Sequence, residues 1–262
     1  MGLDAAPYEM MAIAIARDLQ NGKRVIVGAD TQIPHAAVML AQNLHAPDLK
    51  VIYGANCFWG NTRGRNPDLY VSSGAYQMIR SAESRFDHPE IFHRLWAIDH
   101  FFAGGIEVDK FGNVNILGIP DGAGGWKFRA AGPVGLPDIA VNVREPYIFS
   151  KRHDRRVLVD RVALNSCPGF LDGPGGRERL GLWGKGPRWI ITPKCIFDFH
   201  PESKRARLHR LLPGVTVQEV IEATGFEIEL PERVEVLPGP AEEELQLLRS
   251  IDKDGNLRVR PK

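Results

Sequence analysis

The chain has 262 residues, with 33 Lys+Arg against 32 Asp+Glu, so the formal net charge is +1. The charges are interleaved rather than gathered on one patch, which argues against nucleic-acid binding, and no apolar stretch is long enough for a membrane span or a secretory leader. At 44 % hydrophobic and 25 % charged the composition is that of a soluble globular protein. The three cysteines, Cys57, Cys167 and Cys195, lie far apart and fit a reducing, cytoplasmic setting better than a disulfide framework.

From Asp4 to Asn21, Met10, Met11, Ile13, Ala14, Ile15 and Leu19 recur at helical spacing, and Asn21-Gly22 supplies a stop. Arg24 to Ala29 is a short, valine-rich run suited to a strand covered on both faces. Pro34 opens a helix through Leu44, and Leu49 to Tyr53 reads as the next buried strand. Strand, helix and strand at this spacing make a parallel crossover, and hence an open, mostly parallel α/β sheet covered by helices. Ala55 to Leu69 reads as a long loop at the carboxyl end of a strand, where such sheets keep their chemistry.

Helices are expected over Ala75 to Arg85 and Pro89 to Ala97. A strand from Phe101 to Val108, a turn at Asp109 to Asn113 and a partner strand from Val114 to Ile119 follow. Pro120 to Pro137 is dense in Gly and Pro. Ala140 to Phe149 and Arg156 to Leu164 read as strands flanking a solvated, basic hairpin end, Lys151 to Arg156. Cys167 to Pro187 carries seven glycines, which let backbone approach a ligand or another chain closely. Arg188 to Thr192 and Cys195 to Phe199 read as a hairpin. Thr216 and Glu219 form a capping box for a helix reaching Ala223. An amphipathic helix over Ala241 to Ser250 precedes a basic tail, 253–262, expected to be mobile or to dock on a partner. With no internal repeat and no linker, residues 1–252 are expected to form a single domain.

Common chemical motifs are absent. No Cys-x-x-Cys or His-Glu-x-x-His spacing points to a metal, and none is expected. There is no Gly-x-Ser-x-Gly elbow. Gly184-Lys185-Gly186 is not a phosphate loop, because Arg179 stands where the first glycine belongs and no Ser or Thr follows the lysine. Gly122 to Gly125 lacks the strand-turn-helix context of a dinucleotide site.

Ser166 to Leu182, reading Ser-Cys-Pro-Gly-Phe-Leu-Asp-Gly-Pro-Gly-Gly-Arg-Glu-Arg-Leu-Gly-Leu, resembles the β subunit of glutaconate coenzyme A-transferase and its class I relatives. Ile106-Glu107-Val108-Asp109-Lys110-Phe111-Gly112-Asn113-Val114-Asn115 is similar to the strand-turn of that family, and Trp189 to Thr192 and Thr224-Gly225-Phe226 follow in its order. The resemblance covers nearly the whole chain. It implies an open α/β fold shared with sugar-phosphate and coenzyme A enzymes, and assembly with a separate α subunit as a heterodimer, an α2β2 complex or a larger one. It also implies an acyl-CoA thioester as substrate and no bound cofactor.

Such enzymes use a glutamate, which attacks the thioester carbonyl and later carries coenzyme A as its own thioester. Ungapped counting puts Gly54 at that position, and glycine has no oxygen to offer. Three readings follow: an α subunit supplies the carboxylate, Cys57 is the nucleophile, or the chain binds acyl-CoA without turning it over. Related heteromeric enzymes hydrolyse a carbon-carbon bond of a cyclic β-keto acyl-CoA, which keeps a hydrolase reading open. For substrate binding the resemblance points to Asn56, to Gly132 and Gly135 in the turn that faces the acyl carbonyl, and to Gly173, Gly175 and Gly176. In that acyl turn Val134 and Pro137 replace smaller or donor-bearing residues, so one oxyanion amide is expected to be lost and the acyl pocket reshaped, and the same turn reads equally as a simple strand entry. Phe58, Trp59, Arg63 and Arg65 read equally as an acyl pocket or as subunit contacts. Asp172, Arg177, Glu178 and Arg179 read as a charged site rim or as surface ion pairs.

Overall fold

A computed structural model describes residues 4–28, 31–53, 58–61, 82–85 and 87–259. It divides into two compact units, residues 1–102 with 238–262, and residues 103–237.

In the first unit, helix α1 (Pro7–Asp18) starts on a proline, where the missing N–H costs nothing, and Glu9 accepts the N–H of Ala6 at 2.8 Å. Strand β1 (Arg24–Val27), helix α2 (Gln32–Leu44) and strand β2 (Lys50–Tyr53) make the expected parallel crossover, with Val27 beside Tyr53. Helix α2 is buried from Gln32 through Gln42, the mark of a helix covered on all sides. The loop expected after β2 contains a strand, β3 (Phe58–Gly60), antiparallel to β2. Ala82–Arg85, expected as a helix end, is strand β4, antiparallel to β3. Residues 75–81 lie outside the described residues. A capping box between Asp87 and Glu90 starts α3 (His88–His93), and a 3-10 turn covers Leu95–Ala97. Strand β5 (His100–Ala103) pairs with β1 in parallel, giving the order β5-β1-β2-β3-β4. The parallel centre is as expected, and the antiparallel pair extends it.

In the second unit, the single strand expected over 101–108 is divided at Gly104-Gly105. Gly105 lies so close to Val114 that a side chain there would collide, and β6 (Glu107–Asp109) starts after it. Strand β7 (Val114–Asn115) pairs antiparallel with β6 and then stops, because the Asn115 side chain accepts the N–H groups of Leu117 and Gly118 at 2.9 and 3.3 Å. A separate hairpin follows, β8 (Gly118–Pro120) with β9 (Trp126–Arg129), inside the stretch read as Gly/Pro-rich. Leu136–Asn142, partly expected as strand, is helix α4; Pro137 and Asp138 in its first turn are a helix start that alternation alone overlooks.

Strand β10 (Tyr147–Phe149) pairs in parallel with β12 (Trp189–Ile191), while β11 (Leu158–Val159) pairs in parallel with β6. Lys151 to Arg156 is therefore not the end of a hairpin. Within it His153 is buried, Nδ1 at 2.8 Å from Thr192 Oγ1 and Nε2 at 3.1 Å from Thr224 Oγ1. Short helix α5 (Gly176–Arg179) lies in the glycine-rich stretch. The hairpin expected after it is β12 with β13 (Cys195–Phe199), extended by β14 (Ala206–Leu211). Thr216 and Glu219 cap α6 (Val217–Ala223) as expected, and β15 (Glu235–Val236) pairs in parallel with β14.

The chain returns to the first unit as α7 (Glu242–Ile251), which packs on α1 and α2. Arg17 forks onto Glu244 at 2.6 and 2.7 Å, and Arg249 reaches the buried Glu9 at 2.8 Å. Of the tail expected to be mobile or to dock on a partner, the described residues 253–259 fold back on their own unit. Asp252 accepts the N–H groups of Asn256 and Leu257, and Leu257 is buried.

Candidate functional site

In the first unit, β1 and β2 run parallel, so their carboxyl ends lie on the same side of the sheet, the side on which open α/β sheets bind ligands. Two anchors hold these strand ends. Thr31 Oγ1 donates to Gly28 O at 2.8 Å, tying the start of α2 to the end of β1. The buried His35 ring on α2 meets the hydroxyl of Tyr53, the last residue of β2, with Nε2 and Oη 3.1 Å apart and the rings edge to face at 5.1 Å. Tyr53 also pairs with Phe58 of β3, and Asn61 donates to the carbonyls of Pro47 and Leu49 at 2.8 and 3.1 Å. Gly54, Asn56 and Cys57 lie outside the described residues, as do Arg63 and Arg65, and their placement remains a sequence expectation. The sequence reading overlooked His35 and Tyr53, because their partnership depends on a crossover that brings residues 18 apart into contact.

The second unit is organised by a buried polar hub in its strand-turn. Asp109 accepts the backbone N–H groups of Phe111 and Asn113 and the side-chain amide of Asn113. Asn113 Oδ1 then takes the N–H groups of Gly169 and Leu171 at 2.9 and 3.1 Å, and its Nδ2 donates to Leu171 O at 2.7 Å. Burial raises the Asp109 carboxyl above the usual carboxylate range, against these hydrogen bonds, which lower it. Gly169 lies so close to the turn that a Cβ would collide with the carbonyls of Phe111 and Gly112, so no other residue fits. The two segments singled out in the sequence thus form one object, with 109–115 gripping 166–171.

Gly173, Gly175 and Gly176 come together in the turn that follows. Gly175 has φ +73 at the start of α5, and a Cβ on Gly176 would meet Asp172 Oδ1 and Phe170 O at 2.8 Å. A cleft of about 710 Å³ opens beside this turn, lined by Lys110, Asp160, Arg161, Asp172, Gly176 and Arg179 among others. Lys110 pairs with Asp160 and Arg179 with Asp172, each at 2.6 Å. Arg177 behaves differently: it is buried and donates to the carbonyls of Gly184 and Gly169 at 3.0 and 2.8 Å, clamping both ends of the glycine-rich stretch. The charged loop is therefore split between one buried clamp and an exposed ion pair.

Gly132 and Gly135 lie in a separate turn, anchored where Gly132 N donates to Ile116 O at 3.2 Å. Between them Val134 has φ +48, a costly backbone for a β-branched residue, and its side chain is 95 % exposed. Pro137 lies in the first turn of α4, where the N–H it lacks would have no partner within the helix; its place there reflects helix initiation. Both cysteines of this unit, Cys167 and Cys195, are buried. Burial pushes the Cys167 thiol up to about 12 and raises Cys195 too.

Residues 8–223 match the family described as Coenzyme A transferase. The B-type subunit of 3-oxoadipate CoA-transferase from Pseudomonas knackmussii is 36 % identical over 248 residues, 93 % of this chain and 92 % of that protein. The B-type subunit of glutaconate CoA-transferase from Acidaminococcus fermentans is 31 % identical, covering 89 % and 88 %. The cholesterol ring-cleaving hydrolase IpdB subunit of Mycobacterium tuberculosis is 26 % identical, covering 96 % of each. Among solved structures, glutaconate coenzyme A-transferase from A. fermentans superposes with a TM-score of 0.86 at 27 % identity over the full length of both chains. The decarboxylase AibA/AibB superposes at 0.82 with 22 % identity over 97 % and 98 %, a likeness of fold.

Proposed function

We propose a reaction from this premise: the chain belongs to the coenzyme A transferase family, as the β subunit of a heteromeric enzyme that acts on acyl-CoA. The reaction is transfer of coenzyme A from an acyl-CoA to a free carboxylate. What supports it most is 36 % and 31 % identity, over about nine-tenths of each chain, to subunits named for that transfer.

The attacking oxygen comes from the α subunit, because Gly54 occupies the counted position of the family glutamate. That carboxylate adds to the thioester carbonyl and expels the coenzyme A thiolate, leaving a mixed anhydride. The thiolate then attacks the enzyme carboxyl carbon, releasing the first acid and leaving an enzyme thioester. The acceptor carboxylate reverses both steps and departs with coenzyme A. This chain contributes binding surfaces, namely Asn56, the turn at Gly132 and Gly135, and the turn at Gly173, Gly175 and Gly176. A cytoplasmic location and a single functional domain over 1–252 belong to the same proposal.

A second reading, hydrolysis of a carbon-carbon bond in a cyclic acyl-CoA, draws on the 26 % identity to the ring-cleaving hydrolase subunit. Mixing this chain with its α subunit, an acyl-CoA and an isotopically labelled carboxylate distinguishes the two. Transfer predicts labelled acyl-CoA from the mixture and none from this chain alone. Consumption of a cyclic acyl-CoA that is indifferent to acceptor would establish the hydrolase instead.

A further inference from the structure

Strand β9 reads Trp126-Lys127-Phe128-Arg129, and all four residues are exposed. Trp126 and Phe128, two apart on a strand, project from one face and are 43 % and 54 % exposed. An isolated two-stranded hairpin is marginal in water and does not normally leave its aromatic face open. Yet this one is firmly built. Asp121 closes its turn by accepting the N–H groups of Ala123 and Gly125 at 2.7 and 2.8 Å. The Trp126 indole lies against Gly118, where a Cβ would meet Trp126 Cε3 at 2.7 Å. Arg129 stacks over that indole at 4.7 Å and donates to Leu117 O at 2.6 Å.

Neither Lys127 nor Arg129 has a carboxylate partner among the described residues, and the hairpin's own carboxylate, Asp121, is committed to its turn. The hairpin therefore combines a fixed Trp–Arg stack and a second aromatic ring with two unneutralised cations, of which Lys127 alternates to the other face of the thin ribbon. That combination suits a ligand with a planar base and several phosphates. Ala130 N donates to Leu117 O, and five residues after Arg129 the chain reaches Val134, a span of at most about 18 Å.

We propose that the β8–β9 hairpin binds the 3′-phosphoadenosine diphosphate end of coenzyme A, with the base on the Trp126–Arg129 stack and Phe128 and the phosphates on Lys127 and Arg129. This rests on the acyl-CoA reading above for the identity of the nucleotide.

The test is calorimetric titration of the assembled complex with adenosine 3′,5′-bisphosphate, which has no thioester and cannot react. Trp126→Ala and Lys127→Glu each weaken binding by about tenfold or more, and each raises the KM for acyl-CoA while kcat stays within about twofold. Lys127→Glu leaves the hairpin contacts intact, so it remains informative if Trp126→Ala unfolds the hairpin. Unchanged affinity in both variants overturns the proposal. So does protection of Trp126 from oxidative footprinting on assembly with the α subunit alone, which would make the hairpin a subunit contact. Bisphosphate binding through Trp126 without any transfer would contradict the proposed reaction and leave the hairpin assignment standing. Transfer with unaltered KM in both variants would do the reverse.

Discussion

The side-chain amide of Asn113 lies 3.1 and 3.0 Å from the two carboxylate oxygens of Asp109, and its own oxygen holds the backbone of Gly169 and Leu171. One asparagine thus joins a strand-turn to a glycine-rich stretch more than fifty residues away. Replacing it with alanine leaves a buried carboxylate and two buried N–H groups short of partners. Asn113→Ala is expected to cost about 3 kcal/mol, read as a lowered midpoint in urea unfolding. A loss below about 1 kcal/mol would show that the hub does not hold the two segments.

The pair formed by His35 and Tyr53 fixes the end of β2 in the first unit. Tyr53→Phe removes the hydroxyl and keeps the ring. It is expected to destabilise by about 1 kcal/mol, and to lower kcat in the assembled enzyme while stability is largely retained. Unchanged kcat would mean that this anchor has no bearing on the residues that follow β2.

Acid sensitivity follows from His153. An ordinary histidine titrates near 6.5, whereas burial first and the Lys194 charge second push this one down to about 4. Between these values the unfolded chain binds more protons than the folded one. His153 therefore contributes its full stability above about pH 6.5, and this is lost as pH falls towards 4. The loss is about 3 kcal/mol. His153→Gln, which cannot be protonated, is expected to flatten the pH dependence of the urea midpoint over that window. An equally steep profile in the variant would assign the effect to other groups.

Val134 offers a gain. Its side chain is almost fully exposed, so shortening or replacing it forfeits no packing, and asparagine tolerates the left-handed backbone. Val134→Asn is expected to raise stability by about 1 kcal/mol in thermal unfolding of the free chain. No gain would mean that the turn is not strained.

Much of the fold was legible in the sequence wherever local pattern and tertiary role agreed. The β1-α2-β2 crossover, the Thr216–Glu219 cap and the hairpin after Pro187 each follow from periodicity or end signals. Misreadings occurred where long-range partners decided the outcome. Phe101 to Val108 alternates like one strand, but the strand is divided at Gly104-Gly105, where Gly105 packs against Val114 too closely for a side chain. Lys151 to Arg156 reads as a solvated turn by charge, yet His153 is drawn inside by two threonines on distant elements. Of the candidate site, the resemblance brought the residues of the Asp109–Asn113 hub and Gly173 to Gly176 into view. The role of Asn113 as a clamp was not visible, because only the folded chain brings Gly169 and Leu171 to its oxygen.

In the proposed reaction the reactive carboxylate belongs to the partner chain. The most direct measurement is hydroxylamine or borohydride trapping of the complex during turnover with acyl-CoA, followed by peptide mapping of both chains. A covalent mark is expected on a carboxylate of the α subunit, with no mass change within residues 46–60 of this chain. A mark on this chain, on Cys57 or on any of its carboxylates, would contradict it.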